Sequence, residues 1–312
     1  MRLAGNPLKG KELTRLKKFL ERMNLAYDEG IEYSICILDD DCNIVATGSA
    51  KGNVLTCIAV EPQSLALSGA ILSALIQYEF EQGRVHLFVD TKPENRELLE
   101  EFSFYPILET RDFLFMENRS NGFSGYLEAI RKETPAEAME DGMNIGAVVM
   151  NCDPFTLGHR YLLEQAAGQC DYVHVFVDGL TEQNRRFQIP ARERLRLVKE
   201  GARHIPNLIF HQTYRDAELF AARIAPRLHI RRWFAGMEPD RGAADCDNRI
   251  KREMLSWYQI SLIEIPRLKN AAGIISASAV RENVKKGKWM KVGKMVPDTT
   301  LKYLKEAAGM AK

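Results

Sequence analysis

The sequence predicts an α+β domain followed by an α/β domain with a parallel sheet. The first part of the chain has three consecutive predicted strands before its long helix, an order typical of α+β domains. From residue 144, short apolar strands alternate with amphipathic helices, which favours a parallel sheet with right-handed crossovers. The 312 residues are enough for two domains, each with its own hydrophobic core.

The first domain is expected over residues 1–118, with a linker over 119–143. A helix is predicted over about 8–24, and turn signals at DDDCN and KGN separate the strands EYSICIL, NIVATGS and NVLTCIAV. Next come a helix over about 64–82, the strand VHLFVD, a helix opened by Pro93, and strands near 104–108 and 112–117. The polar stretch 119–143 holds one short helical segment, so it is interpreted as the connection between domains.

The second domain is expected over residues 144–312. Its predicted strands are NIGAVVM, YVHVFV, NLIF, RRWFAG and ISLIEI, and the helices between them begin near 158 and run through ARERLRLVKEGA, AELFAARIA and about 247–257. Sheets of this kind bind ligands beyond the carboxyl ends of their strands. The stretch NCDPFTLGHR follows the first of these strands, so we expect it to line a binding site.

The composition is typical of a globular protein and gives no sign of a membrane or nucleic-acid partner. Hydrophobic residues make up 46% and charged residues 27%, and the formal net charge of +1 gives no reason to expect nucleic acid or membrane as a partner. The N-terminus lacks the apolar run of a secretory signal, and the apolar run 65–76 is too short to span a bilayer. The six cysteines occur singly, without a CxxC pair, so we expect a reducing, cytoplasmic compartment and neither a disulfide framework nor a zinc site.

The junction after the first apolar strand of the second domain is suited to phosphate. A helix N-terminus offers unpaired N–H groups and the positive end of the helix dipole. Gly158 allows close approach to the backbone, Pro154 stiffens the turn, and Thr156 and His159 project toward an anion. A histidine there can donate a hydrogen bond to a phosphate oxygen in a transition state. The competing interpretation is a capping threonine and a surface histidine.

The residues TLGH, Thr156–His159, resemble the (H/T)xGH signature of the nucleotidyltransferase superfamily. In that superfamily the substrate attacks the nucleoside α-phosphate directly and pyrophosphate leaves, so positioning and charge stabilisation carry the catalysis. The resemblance implies catalytic roles for Thr156 and His159. It also implies ATP contacts from neighbouring residues of the same segment, namely Asn151, Asp153, Pro154, Phe155 and Gly158.

The stretch ISASAVRENV, after the last strand, resembles the superfamily motif ISSTxxR. Ser276 or Ser278 would begin a helix whose N–H groups bind the β- and γ-phosphates, and Arg281, one turn later, would pair with them as a third catalytic residue. An ordinary helix cap with an exposed arginine is the competing interpretation. Ala279 stands where the motif has threonine.

Two further stretches fall where the superfamily places nucleotide contacts. FAGMEP ends a predicted strand, and Gly236 and Glu238 in it would lie near the nucleoside; Glu238 either accepts hydrogen bonds from ribose or is an exposed loop acid. In RFQIPARERLRLV, Arg194 either faces phosphate or forms an ion pair within its own helix.

Whole phrases resemble the citrate lyase ligase family, among them NCDPFTLGHRYLLEQAA, FAGMEP, EIPRL, ISASAVR, GNVLTCIAV and HLFVDTKPEN. The resemblance covers nearly the full length. It implies a GNAT-like (acetyltransferase-type) α+β domain over 1–118 and a Rossmann-like nucleotidyltransferase domain over 144–312. The implied cofactors are ATP and Mg²⁺, with the ion bridging the phosphates.

The resemblance also implies a reaction. Acetate would attack the α-phosphate of ATP to form acetyl adenylate and pyrophosphate. The acetyl group would then pass to the phosphopantetheine-type thiol on the acyl carrier subunit of citrate lyase. Two alternatives stay open: an adenylyltransferase similar to pantetheine-phosphate adenylyltransferase, and a non-catalytic protein that binds nucleotide or the carrier.

The sequence departs from the family pattern at several places. EPQSLALSGAI lacks the GxG of the GNAT pyrophosphate loop, so the first domain is expected to bind acetyl-CoA weakly or not at all, and either to dock the carrier or to serve a structural role. The loops after Phe210 and Pro239 are also unlike the usual ones, near the expected acceptor and nucleoside sites. A basic cluster follows the phosphate motif and either attracts ATP or an acidic carrier or is simply solvated; it comprises Arg281, Lys285, Lys286, Lys288, Lys291 and Lys294.

Overall fold

The structure is a computed structural model that describes residues 1–179, 189–213, 217–237, 245–271 and 273–309. The described residues form two compact units, the first over Met1–Tyr126 and the second from Leu127 onward. This division falls inside the stretch 119–143 that was predicted as a linker. That stretch contains a helix, Gly122–Glu133, and a 3₁₀ turn, Ala136–Met139.

The first unit is built on a mostly antiparallel sheet of seven strands. In chain order the strands are β1 (Arg2–Gly5), β2 (Tyr33–Leu38), β3 (Ile44–Lys51), β4 (Val54–Val60), β5 (Phe88–Thr91), β6 (Tyr105–Glu109) and β7 (Leu114–Glu117). Their order across the sheet is β1-β2-β3-β4-β5-β7-β6, and only β4 and β5 pair in parallel. Its helices are α1 (Gly10–Arg22), α2 (Ser68–Glu81, after a 3₁₀ turn at Pro62–Leu67) and α3 (Arg96–Glu101, after a 3₁₀ turn at Pro93–Asn95). Helix α4 (Gly122–Glu133) begins in this unit and continues into the second.

The two faces of this sheet are covered by different helices, because successive strand side chains point to opposite faces. On β2, Ile35 packs into a cluster with residues of α2, and its neighbour Cys36 packs into a second cluster with residues of α1. Gly48 on β3 allows α2 to approach closely, since a Cβ at that position would lie 2.7 Å from side-chain atoms of Ile71 and Leu75. The α+β prediction for this part of the chain is therefore confirmed.

The second unit contains a five-stranded parallel sheet. Its strands are β8 (Ile145–Met150), β9 (Tyr172–Asp178), β10 (Leu208–Thr213), β11 (Arg232–Gly236) and β12 (Ser261–Ile265), in the order β10-β9-β8-β11-β12. Helices α5 (Leu157–Ala167), α6 (Ala191–Gly201), α7 (Ala217–Leu219, continued by a π turn and a 3₁₀ turn to Leu228) and α8 (Asp245–Trp257) lie between the strands. A short ribbon, β13 (Lys269–Asn270) and β14 (Gly273–Ile274), precedes α9 (Ala277–Lys285), α10 (Trp289–Val292) and α11 (Asp298–Ala307).

The parallel sheet is buried on both faces, as parallel sheets require. On β9, Val173, Val175 and Val177 pack into a core with residues of α5 and α6. Phe176 points to the opposite face and meets Phe220 edge to face. The chain forms β8, β9 and β10 in turn on one side of the sheet and then crosses from β10 to β11 on the other side of β8. The carboxyl end of β8 therefore lies at the switch point where such sheets bind ligands.

The structure differs from the sequence-based expectation in several details, among them helices α10 and α11, which were not predicted. β1 was not predicted, because four residues with two glycine or alanine positions carry little strand signal. β10 continues through His211–Thr213, beyond the predicted NLIF. The ribbon β13–β14 was also missed, since two-residue strands are too short to produce a periodic pattern. Within the described ranges, no helix is both long and apolar enough to cross a bilayer.

Candidate active site

The turn between β8 and α5 is closed by a reciprocal capping box. Thr156 is the N-cap of α5, and its Oγ1 accepts a hydrogen bond from the backbone N–H of His159 at 3.2 Å. In return, the backbone N–H of Thr156 donates to Nδ1 of His159 at 3.1 Å. Both residues therefore act as caps, whereas the competing interpretation had the threonine as a cap and the histidine at the surface. The cap itself fixes the histidine ring.

The cap determines which ring nitrogen of His159 carries the proton. Because the backbone N–H of Thr156 donates to Nδ1, this nitrogen must be an acceptor, so the proton of the neutral ring sits on Nε2. Burial and, to a smaller extent, the positive charge of Arg267 together lower the pKa of His159 to about 4. The ring is consequently neutral near pH 7 and presents an Nε2–H donor.

The first N–H groups of α5 have different acceptors. The N–H of Leu157 donates to the carbonyl of Met295 at 2.9 Å, and that of His159 donates to Thr156 as described. The N–H of Gly158 has no acceptor among the residues that the structure describes. Gly158 also lies against the chain that leads into α9, because a Cβ there would be 2.7 Å from the carbonyl oxygen of Ile275.

Helix α9 begins beside α5 and repeats the same kind of N-terminus. Ser276 is its N-cap and accepts from the backbone N–H of Ala279 at 3.2 Å, while the hydroxyls of Ser276 and Ser278 lie 3.0 Å apart. One turn later, Nη1 of Arg281 donates to the backbone carbonyl of Asp153. The structure thus brings the predicted ISASAVR motif to the β8–α5 turn and joins the two segments through Arg281.

The residues between strand and cap pack tightly. Asp153 is 6% exposed, its Oδ1 accepts from the backbone N–H of Ile189 at 3.1 Å, and its peptide bond to Pro154 is cis. Phe155 is fully buried, stacks on the ring of His159 with 6.0 Å between centroids, and fills the space next to Gly201. Phe155 therefore packs against the ring of His159 and holds it in place. Its side chain is too deeply buried to make the predicted contact with ATP.

Arg194 is buried at the same edge, with 6% of its surface exposed. Its Nε donates to the carbonyl of Ile189 at 3.0 Å, and its Nη1 donates to the backbone carbonyl of Asn151 at 2.6 Å and to the Oδ1 of the same residue. No acid in the described ranges forms an ion pair with Arg194. The intrahelical pair that the sequence allowed is therefore not among its contacts, and the guanidinium holds the end of β8 instead.

The carboxyl end of β11 adds a residue that sequence reasoning missed. Gly236 ends this strand as predicted, whereas Glu238 lies outside the described residues. Arg267 follows the neighbouring strand β12, and its Nε donates to the carbonyl of Met237 at 2.7 Å. A Cβ at Gly236 would lie 3.7 Å from Cγ of Arg267, so the arginine stem rests over the glycine. One sequence signal could have identified Arg267: it lies just after a predicted parallel strand, at the edge where such sheets bind ligands.

Comparisons with known proteins identify the family. A profile of the citrate lyase ligase C-terminal domain matches residues 145–215 and 209–304. The [citrate [pro-3S]-lyase] ligase of Haemophilus influenzae is 32% identical over 95% of this chain and 96% of its own length. The Klebsiella pneumoniae and Escherichia coli ligases of the same name are 32% and 31% identical, each over 94% of this chain and over 92% and 90% of their own lengths. The chain belongs to the citrate lyase ligase family.

Solved structures are less similar than these relatives. The Thermotoga maritima TmcAL structure with alpha-thio ATP is 17% identical, with a TM-score of 0.37 over 54% of this chain and 56% of that one. An acyl-CoA N-acyltransferase from Pseudomonas aeruginosa is 12% identical, with a TM-score of 0.33 over 38% of this chain and 99% of that one.

Most of the predicted site residues of this family member converge on one edge of the parallel sheet. The β8–α5 turn carries Asn151, Asp153, Pro154, Thr156, Gly158 and His159, and α9 adds Ser276, Ser278 and Arg281. Gly236 lies at the end of the strand adjacent to β8. Within the described part of the chain, no group of three or more His, Cys, Asp or Glu residues is arranged to hold a metal ion.

Proposed function

We propose that this chain is an acetate:thiol ligase that activates acetate with ATP and acetylates the prosthetic-group thiol of the citrate lyase acyl carrier subunit. Membership of the citrate lyase ligase family supports this assignment. The observation that carries the chemistry is the orientation of His159, whose Nε2–H is directed away from the cap while Nδ1 is held by Thr156. A neutral donor fixed at a helix N-terminus is suited to a phosphate on which charge redistributes in the transition state.

In the first step, a carboxylate oxygen of acetate bonds to the α-phosphorus, and the bond from that phosphorus to the bridging oxygen breaks. Pyrophosphate leaves with the electron pair, and acetyl adenylate remains. His159 Nε2–H and the N–H of Gly158 would donate to the α-phosphate. The start of α9, with Ser276, Ser278 and Arg281, would bind the β- and γ-phosphates. No protein nucleophile is needed.

In the second step, the carrier thiolate attacks the acetyl carbonyl and AMP leaves with the electron pair of the broken acyl–phosphate bond. Magnesium is expected to accompany ATP, since this ion is commonly bound through substrate phosphates and water. The described residues provide no ligand cluster for the ion, so no residue is assigned to it. We place the reaction in the cytoplasm. The five cysteines whose side chains the structure describes are all unpaired, which fits a reducing compartment.

ATP–pyrophosphate exchange with and without acetate tests this function. Acetate-dependent exchange is the expected result. Exchange or pyrophosphate release that requires phosphopantetheine and not acetate would support an adenylyltransferase similar to pantetheine-phosphate adenylyltransferase. ATP binding without any turnover would support a non-catalytic protein. Neither alternative is favoured by the family assignment.

Replacement of Arg281 by alanine is expected to raise the KM for ATP about tenfold, because one charge-assisted hydrogen bond to phosphate contributes about 1.5 kcal/mol or more. The KM for acetate should change much less. The measurement is the exchange rate at varied ATP and at varied acetate. Arg203→Ala, at an exposed position beyond the far end of α6, is the matched control and should leave both values unchanged. An unaltered ATP affinity in the Arg281 variant would remove this residue from the phosphate site.

A further inference from the structure

The side-chain amide of Asn151 has a defined orientation. Oδ1 of Asn151 accepts from Nη1 of Arg194, and an arginine offers donors only, so the amide oxygen must face the guanidinium. The Nδ2–H₂ group therefore points the opposite way. Asn151 is exposed, and no described residue accepts a hydrogen bond from its Nδ2. The residue that follows β8 thus presents two N–H donors to solvent, at the sheet edge where the predicted site residues converge.

Arg194 also strengthens these donors. Its guanidinium is buried, and no described acid pairs with it. A hydrogen bond from a cation to the amide oxygen polarises the amide, which makes the Nδ2–H group a better donor. Nη1 also donates to the backbone carbonyl of Asn151 at 2.6 Å, so Arg194 holds both the backbone and the side chain of this residue in place. The positive charge of Arg194 is itself buried, and it acts at the surface by polarising the exposed amide of Asn151.

We propose that Asn151, oriented and polarised by Arg194, donates its Nδ2–H₂ hydrogen bonds to the carboxylate of the acid substrate, and that Arg194 is a positioning residue. This inference rests on the proposed function. The helix N-termini of α5 and α9 are suited to the nucleotide phosphates, and Asn151 lies on the strand side of the same turn. The attacking carboxylate must lie next to the α-phosphate, and the free oxygen of that carboxylate needs a donor that is not shared with ATP.

Two substitutions at one position test the assignment. Asn151→Asp retains the contact with Arg194 and replaces the two donors by a carboxylate oxygen, which repels the acid. Asn151→Ala only removes the donors. We expect the KM for acetate to rise about tenfold in the alanine variant and about 50-fold in the aspartate variant, with less than a threefold change in the KM for ATP.

The order of the two effects distinguishes this role from a structural one. If Asn151 only anchored the strand end for Arg194, the aspartate variant would be the milder change, because it pairs with the buried guanidinium. An alanine variant that is more harmful than the aspartate variant would therefore overturn the proposal. A rise confined to the KM for ATP would overturn it as well, since the donors would then serve a phosphate.

Asn144→Asp is the matched control, because it makes the same isosteric change at the opposite end of the strand. Asn144 donates from Nδ2 to the carbonyl of Gln169 at 2.7 Å, so its aspartate variant should lose stability and retain the wild-type KM for acetate. The Asn151→Asp variant should show the reverse, with an unchanged or higher melting temperature and a raised KM. The inference would be contradicted if Asn151→Asp lost stability and kept the wild-type KM for acetate while Asn144→Asp kept its stability and showed a raised KM.

Direct binding of acetate separates this inference from the proposed function. Saturation-transfer NMR on the full chain with ATP reports acetate binding without turnover. Wild-type protein that neither binds acetate nor shows acetate-dependent exchange contradicts both the function and the inference. Wild-type protein that is active, together with an Asn151→Asp variant of unchanged acetate affinity, contradicts the inference alone.

Discussion

Replacement of His159 by alanine is expected to lower the rate of acetate-dependent ATP–pyrophosphate exchange by about 10²–10³, the usual cost of losing one fixed transition-state donor. Most of the loss should appear in kcat, because the hydrogen bond strengthens as charge develops on the phosphate. The KM for ATP should change by less than a factor of about five, since the N–H groups of α5 and α9 remain.

The alanine variant should still fold, although it removes half of the capping box. The hydroxyl of Thr156 can still accept from the backbone N–H of residue 159, whereas the contacts of the ring with the N–H and hydroxyl of Thr156 and with the ring of Phe155 are lost. Losing the capping bond alone costs about 1 kcal/mol of stability. His204→Ala is the control, since His204 is an exposed histidine paired with Glu164 and should be dispensable. A folded His159 variant with wild-type exchange would exclude the residue from the mechanism.

The protonation state of His159 gives a separate expectation. The folded ring has a pKa of about 4, below the ordinary value of 6.5, because burial and then Arg267 disfavour the charged form. Its contribution to stability is therefore present above about pH 6.5 and is lost as the pH falls toward 4, where the unfolded chain already binds the proton. An NMR titration of the ligand-free protein should find the ring neutral down to about pH 4.5. A midpoint near 6.5 would contradict the buried, Nε2–H form.

The sequence was sufficient for the elements whose signal is local. The parallel sheet followed from alternating apolar strands and amphipathic helices, and the turn between β8 and α5 followed from an apolar strand, Gly158 and an amphipathic helix. The roles of Arg194 and Arg267 were not readable in the same way, because each depends on which backbone carbonyl the folded chain places nearby. Arg194 meets Asn151, 43 positions earlier, and Arg267 meets Met237, 30 positions earlier. Such long-range contacts leave no periodic pattern in the sequence.

Gly158→Ala is expected to lower kcat/KM for exchange by about 10²-fold or more and to destabilise the fold by about 1–3 kcal/mol. The added Cβ would lie 2.7 Å from the carbonyl oxygen of Ile275, which is a backbone atom and cannot rotate away as a side chain would. The chain entering α9 must therefore move away from α5. Because Leu157 packs in one cluster with Ile275 and Val280, this movement disturbs that packing and changes the distance between the two helix N-termini.

The large expected loss of exchange activity in Gly158→Ala arises because the N-termini of α5 and α9 would bind the same nucleotide. Under the proposed function, α5 contacts the α-phosphate and α9 contacts the β- and γ-phosphates, so a displacement between the helices misplaces the scissile bond itself. Gly168→Ala, at the other end of α5, is the matched control, because a Cβ there would meet its nearest atom, the carbonyl oxygen of Glu164, at 3.5 Å, an ordinary contact. If Gly158→Ala kept wild-type exchange while losing stability, the spacing of the helices would be a packing requirement without a catalytic role. Loss of both in Gly158→Ala, with neither changed in Gly168→Ala, is the result that ties the approach of α5 and α9 to phosphate positioning.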